Sequence, residues 1–225
     1  MQSLENQFLI AMPSLADGYF NKTVTYICEH NEEGAMGLII NMPINITLQE
    51  LLTQIETEGS GKNKTDSDSD SGNGNGNGNG ENHSNNQLDS QLDTQSIDNQ
   101  PNDNALEQLV LSGGPISQNR GFVLHRTQQG WTNSLALSKE IMLTTSKDIL
   151  LALGTKKAPE QFMVTLGYAG WEAGQLEAEL QTNSWLTIAA DSDILFNTPI
   201  EQRWQKATEK LGIDIAHLSS DIGHA

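Results

Sequence analysis

The early part of the chain alternates its side chains with the period of a β-strand. In the stretch TVTYICEH, residues 23–30, successive side chains would point to opposite faces of a sheet. The set expected on one face comprises Val24, Tyr26, Cys28 and His30. Apolar runs at residues 8–12 and 35–41 predict the flanking strands, the second of them returning through a hairpin.

Apolar runs predict further short strands in the second half of the chain. The predicted strands are residues 109–112, 121–125, 135–137, 141–144, 161–168 and 185–190, and short helices are predicted at 147–153 and 171–181. Many connections between the strands are too short for a helical crossover. We therefore expect an α+β fold whose sheet is mainly antiparallel.

Two further helices are predicted by capping patterns followed by an apolar stripe. Thr47 with Glu50 is typical of a capping box, and Thr198, Pro199 and Glu201 predict the start of a last helix in the same way. The stripes are Leu48, Leu51, Leu52 and Ile55 in the first helix, and Ile200, Trp204, Ala207 and Leu211 in the last.

Residues 57–104 depart from this patterning, because they are almost wholly Asn, Asp, Ser, Gly and Gln. Such a composition buries too little apolar surface to offset the entropy of ordering a backbone. We expect a disordered insertion at 57–104 within a single domain that takes up the rest of the 225 residues.

The charge of the chain is strongly negative. Twelve Lys and Arg residues face 29 Asp and Glu residues, for a formal net charge of -17. This charge opposes direct nucleic-acid binding, which depends on cations that release counterions from phosphates.

The single cysteine excludes an intramolecular disulfide and a four-sulfur metal site. The N-terminal apolar run is too short for a signal peptide or a membrane span, and no basic residues precede it. We expect a cytosolic protein without membrane association.

The segment SGGPISQNRGFVLH places Gly113, Gly114 and Pro115 directly between two apolar runs. A Walker phosphate loop needs a lysine and a serine or threonine after its glycines, and then a helix. Here the proline lacks an N–H group and a strand is predicted to follow, so we favour a turn. Arg120 keeps an alternative open, because its guanidinium could hold a carboxylate or phosphate beside the glycines.

A second group of glycines follows the strand predicted at 161–168. Gly167, Gly170 and Gly174 are spaced by three and four residues, which fits neither the dinucleotide fingerprint nor the P-loop. We interpret them as sites where a helix packs closely on the sheet, with Trp171 either closing the core or marking a partner surface.

Cys28, His30 and His125 are the candidates for catalytic chemistry. Residues two apart on a strand are roughly 7 Å apart, too far for a direct Cys28–His30 pair, although His125 could reach Cys28 from a neighbouring strand. A buried structural cysteine beside a hydrogen-bonded histidine explains the same residues. Closely spaced metal ligands and the G-x-S-x-G elbow are absent from the sequence. We assign no catalytic residue, metal or cofactor.

Five blocks in order resemble the AlgH/YqgE family of bacterial cytosolic proteins. They are MPSLADGYFNKTVTYICEHNEEGAMGLIINMP, LSGGPISQNRGFVLH, LTTSKDIL, LGYAGWEAGQLEAEL and LSSDIGHA. The resemblance implies a bifurcated, mainly antiparallel sheet that forms a pseudo-barrel with packed helices. It implies no established activity, although members are commonly labelled transcriptional regulators.

From the resemblance and the residues together we expect a non-enzymatic binding or regulatory protein. It would act through a protein partner or a small anionic ligand, and the oligomeric state is left open. An enzyme using Cys28, His30 or His125 is the alternative, and a transcriptional regulator without direct DNA contact is a third. The predicted ligand site is one concave surface with at least one histidine partly exposed, bordered by Cys28, His30, Gly113, Gly114, Arg120 and His125.

Overall fold

The computed structural model describes residues 3–12, 15, 18–60 and 103–212. The strands are β1 (Gln7–Ala11), β2 (Val24–Asn31), β3 (Gly34–Ile39), β4 (Pro43–Thr47), β5 (Leu109–Ser112), β6 (Ile116–Arg126), β7 (Ser134–Ala136), β8 (Ile141–Thr144), β9 (Phe162–Glu172) and β10 (Trp185–Ala189). The helices are α1 (Leu48–Ser60), α2 (Asp103–Leu106), α3 (Lys147–Ala152), α4 (Gln175–Gln181), α5 (Ser192–Phe196) and α6 (Arg203–Lys210), with a 3₁₀ turn at Ile200–Gln202 before α6. None of these helices is long and apolar enough to cross a membrane.

The strands form one curled sheet in the order β10-β1-β2-β3-β9-β6-β8-β7. The sheet forks at β9, whose C-terminal half pairs with β3 and whose N-terminal half pairs with β6 and, in parallel, with β5. The other pairings are antiparallel, and β4 extends the branch through β5. The α+β class and the bifurcated, mainly antiparallel sheet are confirmed.

The alternating pattern of the strands buries both faces of the sheet. On one face Phe8, Tyr26 and Leu124 pack against α5 and α6, including Trp204. The opposite face is divided into two clusters. One packs β6 and β9 against α1 and α3, and the other packs β1 and the end of β9 against α4.

Helix α1 begins as the capping pattern predicts. The Thr47 N–H donates to Glu50 Oε2 at 2.8 Å, and the Glu50 N–H donates to Thr47 Oγ1 at 3.2 Å. The helix continues to Ser60, and α2 begins at Asp103, so both take in residues of the predicted insertion. Disorder of the insertion at 57–104 stays a prediction. Residues 61–102 lie outside the described part of the chain, and a single domain stays a prediction.

Thr198 does not cap the last helix. Its hydroxyl donates to the Asp193 carbonyl at 3.2 Å, because an unpredicted helix, α5, ends just before it. Pro199 precedes the 3₁₀ turn, and no side chain caps that turn or α6.

Trp171, Gly167 and Gly170 belong to a strand rather than to a helix, and Gly174 directly precedes α4. Strand β9 runs on to Glu172, and α4 begins only at Gln175. A Cβ at Gly167, where φ is +74°, would lie 2.5 Å from the Gly114 carbonyl oxygen. Gly167 thus allows two strands to approach, and a helix packed on the three glycines was the wrong interpretation. Trp171 is buried and closes the core.

Candidate ligand site

Cys28 and His30, which were predicted to share one face of β2, point to opposite faces of the sheet. The register between β2 and β3 shifts between Ile27 and Glu29, which leaves Cys28 in a β-bulge. Cys28 packs in the α5–α6 face of the core, whereas His30 contacts α4 on the other face. The bulge adds one residue and so reverses the alternation after Cys28.

Cys28 is a structural thiol. Its side chain is 3% exposed and donates to the Tyr26 carbonyl at 3.7 Å. Burial, with a smaller contribution from the Glu29 carboxylate, raises the pKa of the Cys28 thiol. Since the thiolate is the reactive form, this position does not favour nucleophilic chemistry.

The His30 side chain links β2 to the segment before β1 and to helix α4. The Leu4 N–H donates to its Nδ1 at 3.0 Å, and its Nε2 lies 2.7 Å from Glu177 Oε1. Because Nδ1 accepts, Nε2 carries the proton and donates to the carboxylate. Both ring nitrogens therefore have hydrogen-bond partners within the fold. Since His30 is only 5% exposed, its ring is largely shielded from solvent.

His125 is fully buried on the face covered by α1 and α3. Its Nδ1 lies 2.7 Å from the Arg126 carbonyl oxygen and therefore donates, and its Nε2 accepts from the Thr144 hydroxyl at 2.8 Å. Burial lowers the pKa of His125, opposed by the hydrogen bond to the Arg126 carbonyl. The neutral ring serves the packing of β6 on β8.

Gly113 and Gly114 lie where the chain between β5 and β6 presses on β9. The Gly113 N–H donates to the Leu166 carbonyl at 2.8 Å, and a Cβ at Gly114 would lie 2.0 Å from Tyr168 C. Backbone atoms of β9 thus occupy the space that an anion would need. The turn interpretation is supported, and the glycines serve strand approach.

Arg120 is exposed, and its guanidinium stands 5.2 Å from the centre of the Phe122 ring. The predicted common surface is wrong: Cys28 and His125 point to opposite sides of the sheet, His30 lies against α4, and both histidines are buried. Within the described ranges no three His, Cys, Asp or Glu residues form a metal-binding group. Ligand binding by the individual residues stays a prediction.

A cavity of about 460 Å³ lies elsewhere, between β5, the start of β9 and the connection from α5 to α6. The apolar part of its lining, the apolar wall, comprises Leu109, Leu111, Phe162, Met163, Phe196, Pro199 and Ile200. The first residue of α6, Arg203, also lines it. We call this space the Arg203 cavity.

Arg203 is a buried cation, 7% exposed, and forms no close ion pair with a described residue. Its Nε donates to the Thr198 carbonyl at 3.1 Å, and its Nη1 donates to the Ile40 carbonyl. Burial lowers the pKa of Arg203 to about 10, opposed by the nearby Glu201 carboxylate. The remaining N–H groups of the guanidinium have no acceptor in the part of the chain that the structure describes.

Side-chain hydrogen bonds join residues that line the cavity. Gln161 Nε2 donates to Asn197 Oδ1, and Asn197 Nδ2 donates to Asp193 Oδ1 at 2.9 Å. Arg126 Nε donates to Gln161 Oε1 at 3.0 Å, and the Arg126 guanidinium stands 5.6 Å from the centre of the Phe196 ring. The start of β9 and the end of α5 are therefore fixed relative to each other.

The glycine-rich segment directs attention to the exposed Arg120 and not to the buried Arg203. A signal was present, because Arg203 stands three residues after Ile200 and next to Trp204, on the apolar stripe of the last helix. An arginine on such a stripe is buried with the stripe, and a buried charge requires compensation.

Comparison with known proteins gives a consistent result. Residues 8–216 match the AlgH-like family, DUF179. The "UPF0301 protein" of Colwellia psychrerythraea is 66% identical over the whole of both chains, and that of Vibrio cholerae is 45% identical over 99% of this chain and all of its own.

Two solved structures also match. The solution structure of the AlgH protein from Pseudomonas aeruginosa has a TM-score of 0.66 and 37% identity, with complete coverage of both chains. A crystal structure of a Corynebacterium diphtheriae protein has a TM-score of 0.62 and covers 98% of this chain and 93% of its own, but at 15% identity it supports the fold alone. By its sequence match and its close relatives, the chain belongs to the AlgH-like family.

Proposed function

We propose that this AlgH-like protein is a non-enzymatic cytosolic binding protein that holds a small carboxylate ligand in the Arg203 cavity. Any regulatory effect then passes from the occupied protein to a protein partner. The observation that carries the proposal is Arg203, a buried cation that lines a cavity and forms no close ion pair with a described residue.

The energetic argument starts from the cost of burying a charge. A fall in the pKa of Arg203 from 12.5 to about 10 corresponds to roughly 3 kcal/mol against the charged form. Two carbonyl oxygens compensate part of the lost hydration, but neither carries a full charge. A carboxylate in the cavity would provide the counter-charge, and its two oxygens match the planar guanidinium.

The shape of the site also favours a small ligand. A volume of about 460 Å³ falls within the range of about 300–1,000 Å³ that small-molecule pockets occupy. The side chains of Gln161 and Asn197, which line the cavity, are held by hydrogen bonds within the protein. A pre-formed site avoids the entropy of ordering loops on binding.

The placement of the other candidates supports binding over catalysis by them. Cys28, His30 and His125 are buried and lie in separate parts of the fold, so they offer no nucleophile and base within reach of each other. The net charge of -17 supports a function without direct contact to nucleic acid.

The test compares two arginine variants, Arg203→Met in the cavity and Arg120→Met on the surface. We expect 4-methylpentanoate, a carboxylate with a short apolar chain, to stabilise the wild type and Arg120→Met against unfolding, by an amount that rises with the logarithm of its concentration above the dissociation constant. At one hundred times the dissociation constant the gain would be about 2.7 kcal/mol. Arg203→Met should show no gain beyond that of a sodium chloride control. Equal stabilisation of both variants, or none in the wild type beyond a sodium chloride control, would overturn the proposal.

A further inference from the structure

The charges around the Arg203 cavity are of both signs. Glu160, just before β9, and Glu201, in the 3₁₀ turn before α6, line the same space as the guanidinium. Both carboxylates are exposed, and neither has an ion-pair partner within the described ranges. The cavity is therefore lined by one buried cation and two carboxylates, and none of the three forms a close ion pair with another described residue.

This arrangement discriminates between kinds of carboxylate. A plain carboxylate would pair with Arg203 but would also bring its charge near Glu160 and Glu201. A ligand with a second, positive group would pair with the guanidinium and meet the two carboxylates without that repulsion. Glu201 and Arg203 line the same cavity, and the Glu201 carboxylate acts on the charge of Arg203.

The apolar wall adds a third requirement. Phe162, Met163 and Leu111 are buried and line the cavity, and Leu109 lines it with 41% of its surface exposed. An aliphatic or aromatic group would be covered by these side chains. Each methylene group that is fully buried would tighten binding by about fourfold.

We propose that the ligand is a zwitterion of the α-amino acid type with an apolar side chain. Its carboxylate lies on Arg203, its ammonium group faces Glu160 or Glu201, and its side chain packs on the apolar wall. This inference rests on the proposed function, because it assumes that Arg203 holds a carboxylate.

The experiment uses four compounds with the full-length wild-type protein in isothermal titration calorimetry. Leucine has all three groups, 4-methylpentanoate lacks the ammonium group, 3-methylbutylamine lacks the carboxylate, and glycine lacks the apolar side chain. We expect leucine to bind about tenfold more tightly than 4-methylpentanoate, the amount expected for one charge-assisted hydrogen bond. The amine and glycine should bind more weakly than leucine.

Surface variants then identify the carboxylate that holds the ammonium group. Glu201→Gln and Glu160→Gln remove one charge each at exposed positions, so that they leave the fold intact, and Glu172→Gln removes an exposed charge away from the cavity. We expect one of the first two to abolish the preference for leucine over 4-methylpentanoate, with binding of 4-methylpentanoate unchanged or tighter. Glu172→Gln should keep the preference.

The possible failures are distinguishable. Equal or tighter binding of 4-methylpentanoate, or a leucine preference that survives both cavity variants, would overturn the zwitterion and leave the carboxylate site standing. If no carboxylate binds, or the amine binds as tightly as leucine, the proposed function fails as well. None of these outcomes requires an Arg203 variant that folds.

Discussion

Substituting Gly114 by alanine tests whether the glycine pair serves strand approach. The new Cβ would stand 2.0 Å from Tyr168 C and 2.2 Å from Ala169 N, and both are backbone atoms of β9 that cannot rotate away. The residue also has a φ of +153°, which costs a non-glycine residue about 1–3 kcal/mol. Forcing strands apart in a packed region costs about 1–3 kcal/mol more. We expect Gly114→Ala to lose about 4 kcal/mol of unfolding free energy.

Urea denaturation followed by tryptophan fluorescence measures this loss against a matched variant. At Gly18 a Cβ would meet nothing within 4 Å and φ is not in the positive range, so Gly18→Ala should stay within about 0.5 kcal/mol of the wild type. At about 2–4 °C per kcal/mol, the melting temperature of Gly114→Ala should fall by roughly 10 °C. A Gly114→Ala protein as stable as Gly18→Ala would refute the close approach of the two strands.

Three further predictions concern other parts of the chain. Because burial raises its thiol pKa, Cys28 in the native protein should be alkylated by iodoacetamide far more slowly than a free thiol at pH 8. In urea, the alkylation rate of Cys28 should equal that of a free thiol. Rapid labelling of the native protein would contradict the burial of Cys28. The pKa of His125 is lowered from 6.5, so the unfolded state binds more protons than the folded state below that pH, and the free energy of unfolding should fall as the pH drops from 6.5. The His125→Gln variant should flatten this part of the pH–stability profile. An unchanged profile would exclude His125 as the source of the pH dependence. Replacing residues 61–102 by six glycine and serine residues should leave the melting temperature unchanged or raise it, because the shorter loop costs about 2 kcal/mol less to close. A lower melting temperature would show that the replaced segment packs on the fold.

Much of the fold could be predicted because local rules and tertiary packing agree. The capping box at Thr47 and the run Leu109–Ser112 form the predicted elements, since each has a pattern that no tertiary contact overrides. The bulge at Cys28 has no such pattern. Alternation continues through it in the sequence, and the extra residue is visible only in the pairing of β2 with β3. The expectation that Cys28 and His30 share one face of the strand was wrong for this reason.

The candidate site was harder to predict because its walls come from distant parts of the chain. Leu111, Phe162 and Ile200 meet only because the sheet forks at β9 and the α5–α6 connection folds back over the fork. Sequence patterns fix neighbours along one element, and they do not show which loops close over a cavity. The position of Arg203 on an apolar stripe was the one local sign of the site.

The arginine side-chain spectrum tests the central claim most directly. The arginines of the chain are Arg120, Arg126 and Arg203, so a ¹H–¹⁵N spectrum of the Nε–H groups contains few signals, and substitutions assign them. The Arg203 Nε–H is buried and bound to the Thr198 carbonyl, so we expect it to exchange slowly with water. On addition of leucine or 4-methylpentanoate its signal should shift and saturate, while that of Arg120 stays in place. An Arg203 signal that does not move, or that moves in proportion with Arg120, would contradict a carboxylate site in the Arg203 cavity.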